Sequence, residues 1–118
     1  MKYNSFEDLS VWQKSFTLSV GIYRYFVDLK DYGFKDQITR SALSVSSNIA
    51  EGYERDSQKE FVRFLRIAKG SCGELRTQLR IAGEIDYLNK STANEFINES
   101  VCISKMIAAL IKKVANST

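Results

Sequence analysis

The sequence predicts an all-α protein, an antiparallel up-down-up-down four-helix bundle made by a single domain over residues 1–118. Three observations predict it. The 118 residues include no proline, so no helix need be broken by a residue that lacks a backbone donor. Apolar residues recur at three- and four-residue spacing in four long stretches, and strand-like alternation between turn signals is absent. Only short polar connections separate the stretches, which forces neighbouring helices to run antiparallel.

The first helix is expected over residues 6–29, with Ser5 and Asp8 placed as a capping box. It carries two apolar lines, Leu9, Trp12, Phe16, Val20, Tyr23 and Phe26, and beside it Val11, Leu18, Ile22, Tyr25 and Leu29. Lys30 to Phe34 reads as a connection in which Gly33 supplies a positive φ. The second helix is expected over 35–54, with Ile38, Ala42, Val45, Ile49 and Tyr53 on its core side. Gly52 costs about 1 kcal/mol relative to alanine inside a helix, so it marks either close approach by another helix or the helix end. Ser57 and Glu60 form a capping box at the start of the third helix, expected over 58–85 around Phe61, Phe64, Leu65, Ala68, Cys72, Leu75, Leu79 and Ala82. Thr92 and Glu95 repeat the arrangement for the fourth, expected over 92–115, with Phe96, Ile103, Ile107, Leu110 and Val114 aligned.

Composition narrows the function classes. The chain is 44% hydrophobic and 26% charged, ordinary for a soluble globular domain. No leader-like stretch opens it and no run of about 18 apolar residues could span a bilayer, so a cytoplasmic protein without membrane contact is expected. There is no histidine, and Cys72 and Cys102 stand far apart. Neither a metal site nor a disulfide framework is therefore indicated, and both cysteines read as small core residues. Without an imidazole base, a Ser/Lys pairing or a glycine-rich phosphate loop, no catalytic residue, cofactor or small-molecule substrate is implied, and a non-enzymatic protein is expected.

Three surfaces exceed what a lone bundle needs. On the second helix a polar line runs beside the core line and includes Arg40, Ser44, Asn48, Glu51, Gly52 and Arg55; it reads either as a hydrogen-bonded seam that fixes helix register or as a polar site. The fourth helix has a second apolar seam, Ile97, Val101, Ser104, Ala108, Ile111 and Ala115. It reads either as a wide core-facing arc or, with Ile97, Val101, Ala108 and Ile111 as candidate contacts, as a subunit interface in a homo-oligomer. On the third helix Arg63, Arg66, Lys69, Arg76 and Arg80 fall within an arc of roughly 140° at 100° per residue. The net charge of +3 sits in the middle of the chain: residues 35–83 hold nine Lys/Arg against six Asp/Glu, and the remainder holds eight of each. The basic arc is either a solvated face or a phosphate-binding stripe for RNA or DNA, in which successive cations displace counterions from a nucleic-acid backbone.

The segments DLSVWQKS (residues 8–15), DYGFKDQITRSALSVSSNIAEGYER (31–55) and EFVRFLRIAKGSCGELRTQL (60–79) resemble the 23S ribosomal RNA intervening-sequence proteins, across nearly the whole chain. The matching positions are Asn48, Ile49, Ala50, Glu51, Gly52 and Arg55, then Phe64, Leu65, Ala68, Gly70, Ser71 and Glu74. The resemblance implies a ring-shaped homopentamer of four-helix bundles, encoded by genes that often lie within inserts in large-subunit ribosomal RNA genes. It also extends to the accessory protein of diversity-generating retroelements, a basic pentameric barrel that binds nucleic acid and a reverse transcriptase. Ser46 stands where the family often has proline, so no kink in the second helix is expected here. The resulting expectation is a homo-oligomer that associates with nucleic acid, RNA favoured; the alternative is a protein-binding scaffold with no nucleic-acid partner.

Overall fold

Capping side chains and buried residues at the turns set where each helix begins and ends. The computed structural model describes residues 4–117. Within them a 3-10 turn, Phe6–Asp8, precedes four helices: α1, Ser10–Tyr25; α2, Tyr32–Glu54; α3, Gln58–Glu84; and α4, Lys90–Ala115. No strand occurs among the described residues. Each helix packs on its neighbours in sequence and α4 closes against α1, giving a rod of about 47 × 20 × 19 Å. Ring contacts place the α1–α2 and α3–α4 turns at one pole, where Phe26, Phe34 and Tyr87 meet edge to face. Gly52, Phe61 and Phe64 meet near the α2–α3 turn at the other.

Helix α1 is shorter than its periodicity suggests. Ser5 does cap, but it caps the 3-10 turn by accepting from the Glu7 N–H at 3.1 Å, and Asp8 accepts from Asn4 rather than from Ser5. Leu9 is then extended, at φ −77° and ψ 122°. Its side chain is buried, so apolar burial interrupts the helix and α1 restarts at Ser10 without a side-chain cap. At the other end Phe26, also buried, leaves helical geometry.

Gly33 does not turn the first connection. Asp31 caps α2 by accepting from the Phe34 N–H at 3.1 Å, so Gly33 lies in the first helical turn, and no described glycine has a positive φ. Asp56 and Asp86 are the residues that adopt it, at 56° and 64°. Aspartate tolerates that region better than most side chains because its short polar group bonds locally. Ser57 caps α3 as expected, accepting from the Glu60 N–H at 3.2 Å. For α4 the cap is Asn89, which accepts from the Thr92 N–H at 2.8 Å, so the helix starts before the Thr92–Glu95 pair.

The core contains Val11, Leu18 and Ile22 from α1, Ile38, Ala42, Val45 and Ile49 from α2, the α3 line from Phe61 to Ala82, and Ile103, Ile107, Ile111 and Val114 from α4. Of the two apolar lines on α1, the second therefore faces inward from Val11 to Ile22, while Tyr25 on the same line is exposed. Phe16 and Tyr23 on the other are 50% and 45% exposed, and Trp12, half-buried, stacks on Phe16 with ring centroids 5.1 Å apart.

Candidate nucleic-acid interface

Gly52 organises the α2–α3 corner. A Cβ there would lie 2.6 Å from Phe64 Cβ and 3.2 Å from Phe61 Cδ1, so glycine is what permits the two helices to approach. Close approach brings Arg55, the C-cap of α2, and Arg63 of α3 onto the Phe64 ring, with guanidinium carbons 4.9 and 4.5 Å from its centroid. Glu60 ties the corner together. It accepts from Arg63 Nε and Nη2 at 3.1 and 3.2 Å and lies 3.7 Å from Arg55. The fork of Arg63 on Glu60 holds that carboxyl below the usual range and raises the guanidinium in turn. Arg63 is thus engaged in packing and separates from the rest of the basic arc.

The other four cations remain outside such networks. Arg66, Lys69 and Arg80 are exposed and Arg76 is half-buried. Among the described residues none has a carboxylate within 4 Å. From Arg66 to Arg80 the helix advances about 21 Å at 1.5 Å per residue. Lys69 and Arg76 also flank the buried Cys72. Burial pushes that thiol up, the two cations oppose the shift, and its Sγ donates to the Ser100 carbonyl of α4 at 3.1 Å.

The polar line on α2 divides into three parts. Arg40 pairs outward with Asp36 at 2.9 Å, whose hydrogen bond raises the guanidinium. Ser44 reaches across to Ser71 of α3, Oγ to Oγ 2.8 Å, while Asn48 Nδ2 donates to the Ser44 carbonyl and Oγ at 2.8 and 2.9 Å. Glu51 accepts from Arg55 at 3.1 Å. On α4, Ile111 joins the core and Ile97 packs against it, whereas Val101 and Ser104 are half-buried and Ala108 and Ala115 exposed.

Two features escaped the sequence reading. Tyr87 donates to Asp31 Oδ2 at 2.7 Å, across 56 residues with no local pattern to announce it. Gln78 Oε1, on α3 itself, is buried without a hydrogen-bond partner. An open groove of about 660 Å³ also separates α1 from α4, with Lys14, Thr17, Gly21, Phe96 and Glu99 among its walls. No group of three His, Cys, Asp or Glu able to hold a metal ion occurs among the described residues, and no described helix is long and apolar enough to cross a membrane.

Fold and surface together define a four-helix protein whose distinguishing feature is a cationic helix face. The chain belongs to the 23S rRNA-intervening sequence protein family, whose model matches residues 7–109. Among solved structures it is similar to a protein of unknown function of the S23 ribosomal protein family from Bacteroides thetaiotaomicron. Identity is 28% and the TM-score 0.81, over 86% of this chain and 98% of that one. No curated protein matches the chain in sequence.

Proposed function

We propose that the protein is a non-enzymatic, cytoplasmic homo-oligomer that binds nucleic acid, RNA in preference to DNA, through Arg66, Lys69, Arg76 and Arg80 of α3. The observation that carries this reading is the run of four cations along about 21 Å of one helix, none neutralised by a carboxylate among the described residues. Phosphates are the complementary ligands, and repetition of the face around an assembly would multiply the contacts. Family membership supports the same direction. The half-exposed Phe16, Tyr23 and Leu43 favour self-association, because apolar side chains left on a slender rod are covered when subunits meet. A ring of five is the form that the family resemblance implies.

Charge reversal of Arg66, Lys69 and Arg76 together abolishes retention of structured RNA in a low-salt gel shift; unchanged retention rejects the cationic face as the binding surface. Light scattering tests the assembly, and a concentration-independent mass near 13.5 kDa rejects it. The exposed Ile67 and Ile81 on α3 and Ile85 at its C-cap favour a second reading, a scaffold that binds protein alone. The two differ in salt response, since phosphate binding weakens steeply as salt rises and an apolar contact does not.

A further inference from the structure

All six glycines lie within helices α1, α2 and α3, and three have a packing reason. A Cβ at Gly52 would strike Phe64, at Gly83 it would lie 3.3 Å from Ala93, and at Gly21 3.4 Å from Phe96. Gly70 and Gly73 are different: a Cβ at either meets nothing within 4 Å. Each weakens the middle of the longest helix relative to alanine, yet no contact within the subunit requires it. Their place is informative. At 100° per residue Gly73 falls inside the arc of Arg66, Lys69, Arg76 and Arg80, and Gly70 lies about 40° beyond Arg66 at the edge of that arc, with Arg66 and Lys69 before the glycines and Arg76 and Arg80 after them.

A helical side chain covers the turn on the N-terminal side of its own Cα. The missing side chains therefore uncover the carbonyl oxygens of Arg66 and Ile67 beneath Gly70, and of Lys69 and Gly70 beneath Gly73. Each carbonyl keeps a lone pair after its helical hydrogen bond, so bare backbone here accepts from a hydroxyl that comes close enough. Ribose supplies one in the 2′-OH, which lines the wide, shallow minor groove of an RNA duplex and is missing from DNA. Recognition of unpaired bases has less support, because the exposed aromatics, Phe16, Tyr23, Tyr25 and Tyr32, lie on α1 and the start of α2 and none lies on α3.

We infer that Gly70 and Gly73 form an RNA-selective window in the cationic face. The minor-groove edge of an RNA duplex seats against bare helix backbone, its 2′-hydroxyls donate to the uncovered carbonyls, and the two cation pairs hold the flanking phosphates. This inference rests on the nucleic-acid reading above and adds the ligand class. It is tested by fluorescence anisotropy with blunt RNA and DNA duplexes of one sequence, about 20 base pairs long to offer two minor grooves, using wild type and the double variant Gly70→Ala, Gly73→Ala. Wild type favours the RNA duplex by about fivefold or more, the worth of one or two hydrogen bonds. The variant loses that preference, keeps its DNA affinity within about twofold, and melts at or above wild type, as expected for alanine in an open helical position. Equal wild-type affinity for the two duplexes, or an RNA preference that survives the alanines, overturns the window and leaves the cationic face standing. Failure of wild type to bind either duplex at low salt overturns both. A fall in oligomer mass in the variant assigns the glycines to a subunit contact and overturns the window.

Discussion

Replacing Gly52 by alanine should destabilise the fold even though alanine is the better helix former. The new Cβ would sit 2.6 Å from Phe64 Cβ, whereas carbon atoms rest at about 3.5–4.0 Å. The obstacle is a Cβ fixed to the α3 backbone rather than the free end of a side chain, so the helices must part by about 1 Å. Overpacking costs about 1–3 kcal/mol, and a clash this short with a backbone-fixed atom falls in the upper half of that range, about 2–3 kcal/mol; alanine returns about 1 kcal/mol of helix propensity, leaving a net loss of about 1–2 kcal/mol. At about 4 °C per kcal/mol for a domain of this size, the melting temperature falls by about 4–8 °C. Thermal and urea unfolding measured at matched protein concentration read the change, since assembly makes stability depend on concentration. Gly70→Ala provides the opposite case: with open space around its Cβ it should gain up to about 1 kcal/mol. A Gly52→Ala variant that melts at or above wild type would refute the close-approach account of the α2–α3 corner.

Other outcomes follow from the caps, the Asp31–Tyr87 tie and the thiols. Ser57→Ala removes the α3 cap and should lower stability by about 1 kcal/mol, read as a shift in the urea midpoint. The hydrogen bond from Tyr87 holds Asp31 below its ordinary 3.8, so this carboxylate's contribution is present above that value and is lost as pH falls through the lowered one. The same bond raises Tyr87 above its ordinary 10.0, so the phenol's contribution is full below pH 10.0 and is lost as pH rises past it. Tyr87→Phe should therefore flatten the urea midpoint's dependence on pH at both extremes and leave its slope near pH 7 unchanged; an unaltered acid and alkaline profile would rule the tie out. In a native thiol titration the exposed Cys102 should react with a maleimide while the buried Cys72 waits for denaturant, and equal labelling of both would contradict the burial of Cys72.

Periodicity found the helices because burying an apolar stripe is a property of whole segments, and it needs no knowledge of what lies opposite. It was less informative on α1. Two apolar lines compete there, and only the presence of α2 and α4 decides that Val11, Leu18 and Ile22 turn inward while Phe16 and Tyr23 stay half-exposed. Helix ends were legible where the cap is local, as at Ser57. They were missed where several residues could serve: Asn89 prevails over Thr92, and Asp31 over a turn at Gly33. The basic arc was visible as spacing, but the withdrawal of Arg63 into the corner was not. It depends on Phe64 being held under Gly52, a contact between helices. Nothing in the residue types of Gly70 and Gly73 distinguishes them from Gly52; only the space around each does.

The end of α3 offers a simple engineering handle. Its last carbonyls are satisfied by a two-bond closing turn, in which the Tyr87 N–H donates to Ala82 at 2.9 Å and the Asp86 N–H to Gly83 at 3.4 Å. The residue in the left-handed position of such a turn is most often glycine, but here Asp86 occupies it. That choice carries the steric cost of a side chain at positive φ and also sets a negative charge at the negative pole of the helix dipole. Exchange for asparagine would lift the second burden alone and exchange for glycine would lift both, so the pair of variants separates backbone strain from electrostatics at one corner without disturbing the cationic face.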